Sequence, residues 1–357
     1  MKEVTLQIKP VGNNCNLNCS YCYAAPYRKK KIKVLDLKLL EKLIKEAFEL
    51  SNNIVISWHG GEPTLVGVDY FKKYMEIIKK YKSDNHNIIN MIQTNATLIT
   101  DEMASFFKDN DFIVSISLDG DKNCHNKNRY NFNGKGSFDE TMNGVNVLRR
   151  HGIFPPLIAT VTQSTIKDGV RNFNFFVNNG FREIKYSPVY DSTNDSFSIS
   201  SDEWYKYLKE IFKEWLNLQD KTIKVREIDE ILSWIAGKNL NLCSNMGMCL
   251  NWLSIDEDGN IYPCEYLRKD NPYGNINNMN IKDVFYSDSY LSFKDKVLSM
   301  PEKCKKCKYL NLCHNGCPAT RIKNNSLVYD GIYVYCEQRK KLINDINKMI
   351  GGDDDGQ

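Results

Sequence analysis

No stretch of this chain approaches the roughly 20 consecutive apolar residues that a bilayer-spanning helix needs. Its opening residues, Met1-Lys2-Glu3-Val4, lack a secretory signal pattern. Neither sign of charge dominates: 48 basic residues face 44 acidic ones, and a net charge of +4 over 357 residues does not argue for nucleic acid. No internal repeat is evident. These absences predict a cytoplasmic protein with neither membrane nor nucleic acid as partner. The basic run Arg28-Lys29-Lys30-Lys31-Ile32-Lys33 reads as a solvated loop face. A chain of this length in a reducing compartment needs no disulfide framework. Yet it carries twelve cysteines: three between 15 and 22, one at 124, and eight between 243 and 336. Clustered thiols in that setting point to metal or redox chemistry.

Hydrophobic periodicity alternates between two kinds. Thr5–Lys9, Ile54–Trp58, a segment ending at Gln93-Thr94-Asn95, Phe112–Leu118, Pro155–Val161 and Ile184–Pro188 read as strands. Between them Leu39–Phe48, Tyr70–Tyr81, Phe138–His151 and Val170–Asn179 read as helices. Such alternation predicts parallel βα units in a full or partial barrel, with chemistry where strands end. From about 195 to 240 the pattern turns helical, and beyond 240 it becomes loops and short strands punctuated by cysteine. The expected organisation is 1–235, then 236–348, then a disordered acidic tail, 349–357.

Cys15-Asn16-Leu17-Asn18-Cys19-Ser20-Tyr21-Cys22 has the spacing CxxxCxxC. Three thiolates in one short loop grip three corners of an iron–sulfur cubane and leave the fourth iron open for a ligand. The bland alternative is a structural zinc loop completed by a distant residue. Farther on, two tight pairs and their neighbours make up the second group: Cys243, Cys249 and Cys264, then Cys304, Cys307, Cys313 and Cys317, and lastly Cys336. Eight thiols satisfy two zinc sites or two fully ligated clusters, and arithmetic alone does not choose.

The N-terminal motif resembles that of the radical S-adenosylmethionine superfamily, which implies a partial (β/α)6 TIM-type α/β barrel. There the open iron chelates the cofactor's methionine, and one electron cleaves the sulfonium to a 5′-deoxyadenosyl radical. Trp58-His59-Gly60-Gly61-Glu62-Pro63 resembles the family's GGEP segment, which implies that Gly60, Gly61 and Glu62 engage the cofactor. Gln93-Thr94-Asn95 resembles a segment near the adenosine. Ser117-Leu118-Asp119-Gly120, with His125 and Arg129, resembles one near the ribose and carboxylate; Tyr21 joins the cofactor contacts.

The C-terminal third resembles the SPASM extension of radical enzymes that modify peptides and proteins. That resemblance implies a small cysteine-rich C-terminal domain and three 4Fe-4S clusters. One auxiliary cluster would use Cys243, Cys249, Cys264 and Cys317, and the other Cys304, Cys307, Cys313 and Cys336. Cys124 is left as a buried free thiol. The resemblance is to anaerobic sulfatase-maturating enzymes and to ribosomal-peptide maturases. Glu265 stands where the former carry an aspartate proposed as the base, and is one methylene longer. His59 replaces a glutamine common there, and WHGGEP reads more like the crosslinking maturases. The leading expectation is therefore a peptide- or protein-modifying enzyme forming a crosslink or an oxidised side chain. Formylglycine formation from Cys or Ser is the second reading, and a non-catalytic iron–sulfur or zinc module the third. Implied partners are a peptide or protein substrate and an electron donor such as flavodoxin or ferredoxin. With fourteen residues before Cys15, any leader would be read by a separate leader-binding protein, by the barrel, or not at all.

Overall fold

The computed structural model describes residues 3–190, 196–267, 272–324 and 326–351. In chain order its strands include β1 Val4–Ile8, β2 Asn53–Trp58, β3 Asn87–Thr94, β4 Ile113–Ser117, β5 Leu157–Val161, β6 Glu183–Pro188, β7 Lys224–Val225, β8 Trp252–Ile255, β9 Asn260–Tyr262 and β10 Gly274–Asn275. The chain forms two compact units. The first comprises Met1–Ser117, Asn128–Pro155 and Cys249–Lys294; the second comprises Leu118–Lys127, Pro156–Met248 and Asp295–Gln357.

In the first unit β1, β2, β3 and β4 pair in that order, all parallel. Parallel strands are covered on both faces, and every residue of β1 is buried. Val4, Leu6 and Ile8 face one way and Thr5 and Gln7 the other, as the period of two requires. The helix Leu37–Leu50 buries Leu40, Leu43, Ile44, Ala47 and Phe48, a single stripe at helical spacing, and the Asp36 side chain caps it by accepting from Lys38 N–H. Trp58 at the end of β2 is fully buried, with the rings of Phe71 and Tyr74 edge-on at 5.2 and 4.9 Å. Such pairs add about 0.5–1.5 kcal/mol beyond area burial.

β8 lies parallel on the free edge of β1, with β9 antiparallel to it and β10 to β9. Packing thus does not follow a division at residue 235, since β8 completes the sheet that β1 begins. Gln7 lies level with Ser57 on one side and Ser254 on the other. Three polar residues in one register make that part of the sheet face polar.

The second unit carries β5 and β6 in parallel, with β7 parallel to β6. Its longest helix, Ser201–Leu218, starts from a capping box between Ser200 and Glu203. That helix is joined to Cys336–Met349 by Lys209 and Tyr205, which both contact the Asp345 carboxylate. Of the tail expected to be disordered, Met349 ends a helix and residues 352–357 lie outside the described residues. Among the described residues no helix is long and apolar enough to cross a membrane.

Candidate functional site

From β1 the chain enters the loop that bears Cys15, Cys19 and Cys22. Cys22 N–H donates to the Cys19 carbonyl at 3.2 Å, which winds the second and third thiols onto one turn. The loop is fastened to residues 128–130: Ser20 N–H donates to the Asn128 carbonyl at 2.9 Å and Asn18 N–H to the Tyr130 carbonyl at 2.7 Å. Three donors reach sulfur. Leu17 N–H lies 3.4 Å and Asn95 Nδ2 3.7 Å from Cys15 Sγ, and the Arg28 guanidinium 3.8 Å from Cys22 Sγ. The Cys15 thiol is pushed up to about 12, chiefly by burial and then by the Glu62 carboxylate, with Cys19 and Cys22 adding to the rise. Thiols that oppose each other's ionisation take up a cationic iron core by exchanging protons for metal. The donor set and its N–H···S contacts therefore fit a cluster.

Beyond β2 the chain turns hard against this loop. Gly61 N–H donates to the Gly12 carbonyl and Glu62 N–H to the Asn14 carbonyl, both at 2.9 Å. A Cβ on Gly61 would stand 1.8 Å from the Asn14 carbonyl oxygen, and Gly60 holds φ +115°. Only glycine permits that approach. The buried Glu62 carboxylate accepts from Thr64 N–H at 3.0 Å, Thr64 Oγ1 at 2.6 Å, Thr94 Oγ1 at 2.7 Å and Asn95 N–H at 2.7 Å. Its pKa is nonetheless raised, because burial outweighs those donors. Glu62 is thus a knot between the segment after β2 and the one after β3.

Asn95 extends the knot, donating to the Asn16 side chain at 2.9 Å. Gln93 Nε2 donates to Ser117 Oγ at 3.0 Å, and the Arg129 guanidinium lies over the Tyr21 ring at 5.5 Å. Within the first unit Asn95 links Glu62 to Cys15 and Asn16, Gly60 and Gly61 pack on residues 12–14, Gln93 pairs with Ser117, and Arg129 lies over Tyr21. Asp119 and His125 belong to the second unit. There Asp119 Oδ1 accepts from Thr160 N–H at 2.9 Å, and His125 is fully buried. The Cys124 thiol, also buried, accepts from Asn172 Nδ2 at 2.9 Å, and burial raises its pKa to about 12.

Glu265 follows Cys264 directly and is almost wholly buried. Its N–H donates to Gln7 Oε1 at 3.2 Å, which sets it on the polar face of β1. Burial alone would raise its pKa; His59, Lys9 and the Tyr23 hydroxyl outweigh that and hold it at about 2. Oε2 lies 3.1 Å from His59 Nδ1 and 4.0 Å from the fully buried Lys9 Nζ. Gly60 N–H lies 2.8 Å from the same Nδ1, so the His59 contact is an ion pair only when that ring carries a proton. Neither Glu265 Oε2 nor Ser254 Oγ in the adjoining strand has a hydrogen-bond partner among the described residues. Sequence reasoning found Glu265 and missed Lys9 and Tyr23. The signal for Lys9 was its position, in phase with Gln7 on the polar side of β1.

The basic run is only partly solvated: Lys29 pairs with Glu257 at 2.7 Å and also with Asp258, and Lys33 pairs with Asp258 at 2.6 Å. These contacts pin the segment after the cysteine loop to the β8–β9 turn.

In the second unit Cys304, Cys307, Cys313 and Cys336 line one small cavity. Tyr309, Leu310, Tyr333 and Ile343 supply its apolar walls, and Lys303, Arg339 and Lys340 its cations. Four thiolates with compensating cations in an apolar pocket suit a fully ligated cluster. Cys249 and Cys264 belong to the first unit, Cys243 and Cys317 to the second.

Comparison with known proteins agrees with this geometry. Residues 10–170 match the Radical SAM superfamily, and residues 243–308 match an iron-sulfur cluster-binding domain, SPASM. The chain is 34% identical over 337 residues to a cysteine-type anaerobic sulfatase-maturating enzyme of Clostridium novyi, covering 91% of this chain and 90% of that one. The structure of native anSMEcpe with bound AdoMet superposes with TM-score 0.86 at 29% identity, covering 97% of both chains. The same enzyme with AdoMet and the Cp18Cys peptide gives TM-score 0.83 at 28% identity, covering 98% of both chains. The structure of Streptococcus suis SuiB bound to S-adenosylmethionine, at 17% identity and TM-score 0.67, shares the fold alone, covering 94% of this chain and 77% of that one.

Proposed function

Because this chain belongs to the family of anaerobic sulfatase-maturating enzymes within the radical S-adenosylmethionine superfamily, we propose that it oxidises a cysteine of a sulfatase to formylglycine. The observation that carries this reading is the similarity to a cysteine-type sulfatase-maturating enzyme along nearly the whole of both chains. The same observation corrects the expectation of a crosslinking maturase, which rested on His59 and on the extra methylene of Glu265. Those are two side chains, set against similarity over 91% of this chain.

S-adenosylmethionine bound at the three-thiol loop would supply the radical that takes a hydrogen from the target Cβ. The chain's own residues do the rest. Gly60 and Gly61 let backbone approach the cofactor closely, and Tyr21, Glu62, Gln93, Asn95, Ser117 and Arg129 orient it. Converting CH2–SH to CH=S removes two electrons and two protons. One of each would leave with the hydrogen atom, the second proton would go to the Glu265 carboxylate, and a cluster held by the C-terminal cysteines would supply the acceptor for the second electron. Water then replaces sulfur, releasing hydrogen sulfide. Lys9 helps keep Glu265 ionised and so able to accept a proton, although a carboxylate held at about 2 is a weak base. Three 4Fe-4S clusters, held by Cys15, Cys19 and Cys22 and by the two groups of four, complete the cofactors. A low-potential electron donor and the sulfatase are the partners.

The test is anaerobic incubation of reconstituted enzyme with cofactor, reductant and a cysteine-containing sulfatase peptide. The expected product is an aldehyde trapped by a hydrazine, with sulfide released. A serine peptide is the comparator. A linked or merely dehydrogenated peptide, free of aldehyde, would sink the proposal.

A further inference from the structure

Glu302–Lys308 reads Glu-Lys-Cys-Lys-Lys-Cys-Lys, so lysines flank both Cys304 and Cys307. Lys303, Lys305, Lys306 and Lys308 are all exposed, while Cys304 between them is buried. Arg339, Lys340 and Lys341 follow Cys336 on the helix Cys336–Met349. Against these seven cations stand three nearby carboxylates: Glu302, paired with Lys305, Glu337, paired with Lys303 and Lys340, and Asp345, which faces Lys341. Lys306 has no carboxylate partner among the described residues, and Lys308 lies over the Tyr309 ring at 5.1 Å. A surface groove lined by Lys303, Lys323, Tyr333 and Glu337 also reaches Cys336. The four-thiol cavity thus lies directly beneath a positive surface and reaches solvent beside it.

A structural cluster needs cations against its thiolates, and Lys303, Arg339 and Lys340 in the cavity wall meet that need. Lys305, Lys306 and Lys308 line no part of the cavity and add a field directed outward. Fields of this kind steer oppositely charged proteins. We infer that Lys305, Lys306 and Lys308 form the docking surface for an acidic one-electron carrier protein. This rests on the assignment of Cys304, Cys307, Cys313 and Cys336 as cluster ligands. The exchange is a single electron: the cluster is oxidised by one and the carrier reduced by one, with no proton or bond change in the chain.

The experiment titrates reconstituted full-length protein with oxidised flavodoxin as the acidic carrier, measuring Kd across a range of ionic strength. The parent should bind best at low salt and weaken steeply as salt rises. Lys305→Glu/Lys306→Glu/Lys308→Glu should weaken low-salt binding at least about tenfold and flatten the salt dependence, with iron and sulfide content unchanged. Should the charge reversal lower iron content, the neutral Lys→Gln triple is read instead, with an intermediate loss of affinity. Parent-like affinity and salt dependence in a variant with intact clusters overturns the docking surface. Iron content of Cys307→Ala is measured separately: full retention refutes the cluster assignment and leaves the affinity data to be judged by themselves.

Discussion

The three-thiol loop and the four-thiol cavity use the same ligand and surround it differently. Around the three-thiol loop the neighbours are amides at Cys15, a guanidinium at Cys22 and a buried carboxylate, fixed by backbone contacts from a glycine pair. Around Cys304, Cys307, Cys313 and Cys336 they are rings, aliphatic side chains and cations. An open iron must exchange ligands, so its setting has to present polar groups to a cofactor. A closed cluster exchanges only electrons, and an apolar wall with a charged rim suffices. Ligand count and wall chemistry therefore tell the same story twice.

Deleting thiols breaks the comparison most directly. Cys15→Ala/Cys19→Ala/Cys22→Ala should abolish 5′-deoxyadenosine formation while iron remains at the other sites. Cys304→Ala/Cys307→Ala should instead lower iron and thermal stability, because ligation free energy is also folding free energy. Chromatography of the nucleoside and an iron assay separate the two. Equal loss of 5′-deoxyadenosine in both variants would erase the distinction.

Next in size is Glu265→Gln. Removing a general base costs about 10²–10⁴-fold, so formylglycine should fall by that factor while 5′-deoxyadenosine still forms. Unchanged aldehyde yield would leave Glu265 a structural residue of its loop.

Gly61→Ala probes the polar wall itself. With the Asn14 carbonyl 1.8 Å from the added carbon, the two loops must part, at a cost of about 1–3 kcal/mol typical of overpacking. Gly67→Ala is the control. Its φ of +75° carries strain but nothing lies within 4 Å, so it should cost about 1–2 kcal/mol and leave cofactor affinity intact. Equal effects on affinity would show that close approach at Gly61 is dispensable.

Carboxylates also differ between the units, as the thiols do. Glu62 has four hydrogen-bond contacts. Glu227 in the second unit accepts from Tyr186 N–H at 3.1 Å, and burial lifts its pKa to about 7. Between its ordinary value of 4.5 and about 7 the folded chain holds a proton that the unfolded chain has lost. Stability must therefore fall as pH rises across that window, by roughly 3 kcal/mol at full effect. Glu227→Gln should flatten this fall in denaturant titrations at pH 5 and 8. A wild-type slope in the variant would exclude Glu227 as its source.

Much of this was legible in the residues. The strands β1, β2, β4, β5 and β6 follow their alternation, and the cysteine groups stand out by their spacing. The helix Asp101–Asp109 was not legible: its nine residues are too few for a clear stripe, and it is fixed by the Thr100 side chain accepting from Met103 N–H. Nor was the pairing of β8 with β1, which joins segments that no local pattern links. The partners of Glu265 escaped for the same reason, since Lys9 and His59 reach it only once that sheet has formed. The substrate reading erred where two side chains were given more weight than the framework around them.

That late pairing also has a timetable. β1 is synthesised first, yet its neighbour β8 begins at Trp252. At the ribosome's pace of about 5–20 residues per second, β1 leaves one edge unpaired for roughly 12–50 s. During that interval the three-thiol loop, the glycine pair and Glu62 can assemble, but Glu265 does not yet exist. The nascent chain thus acquires the groups that hold the cofactor well before the carboxylate proposed to take the substrate's proton. An open parallel edge also invites pairing with other chains while it lasts, so anything that slows translation between β4 and β8 lengthens the period in which the growing polypeptide aggregates.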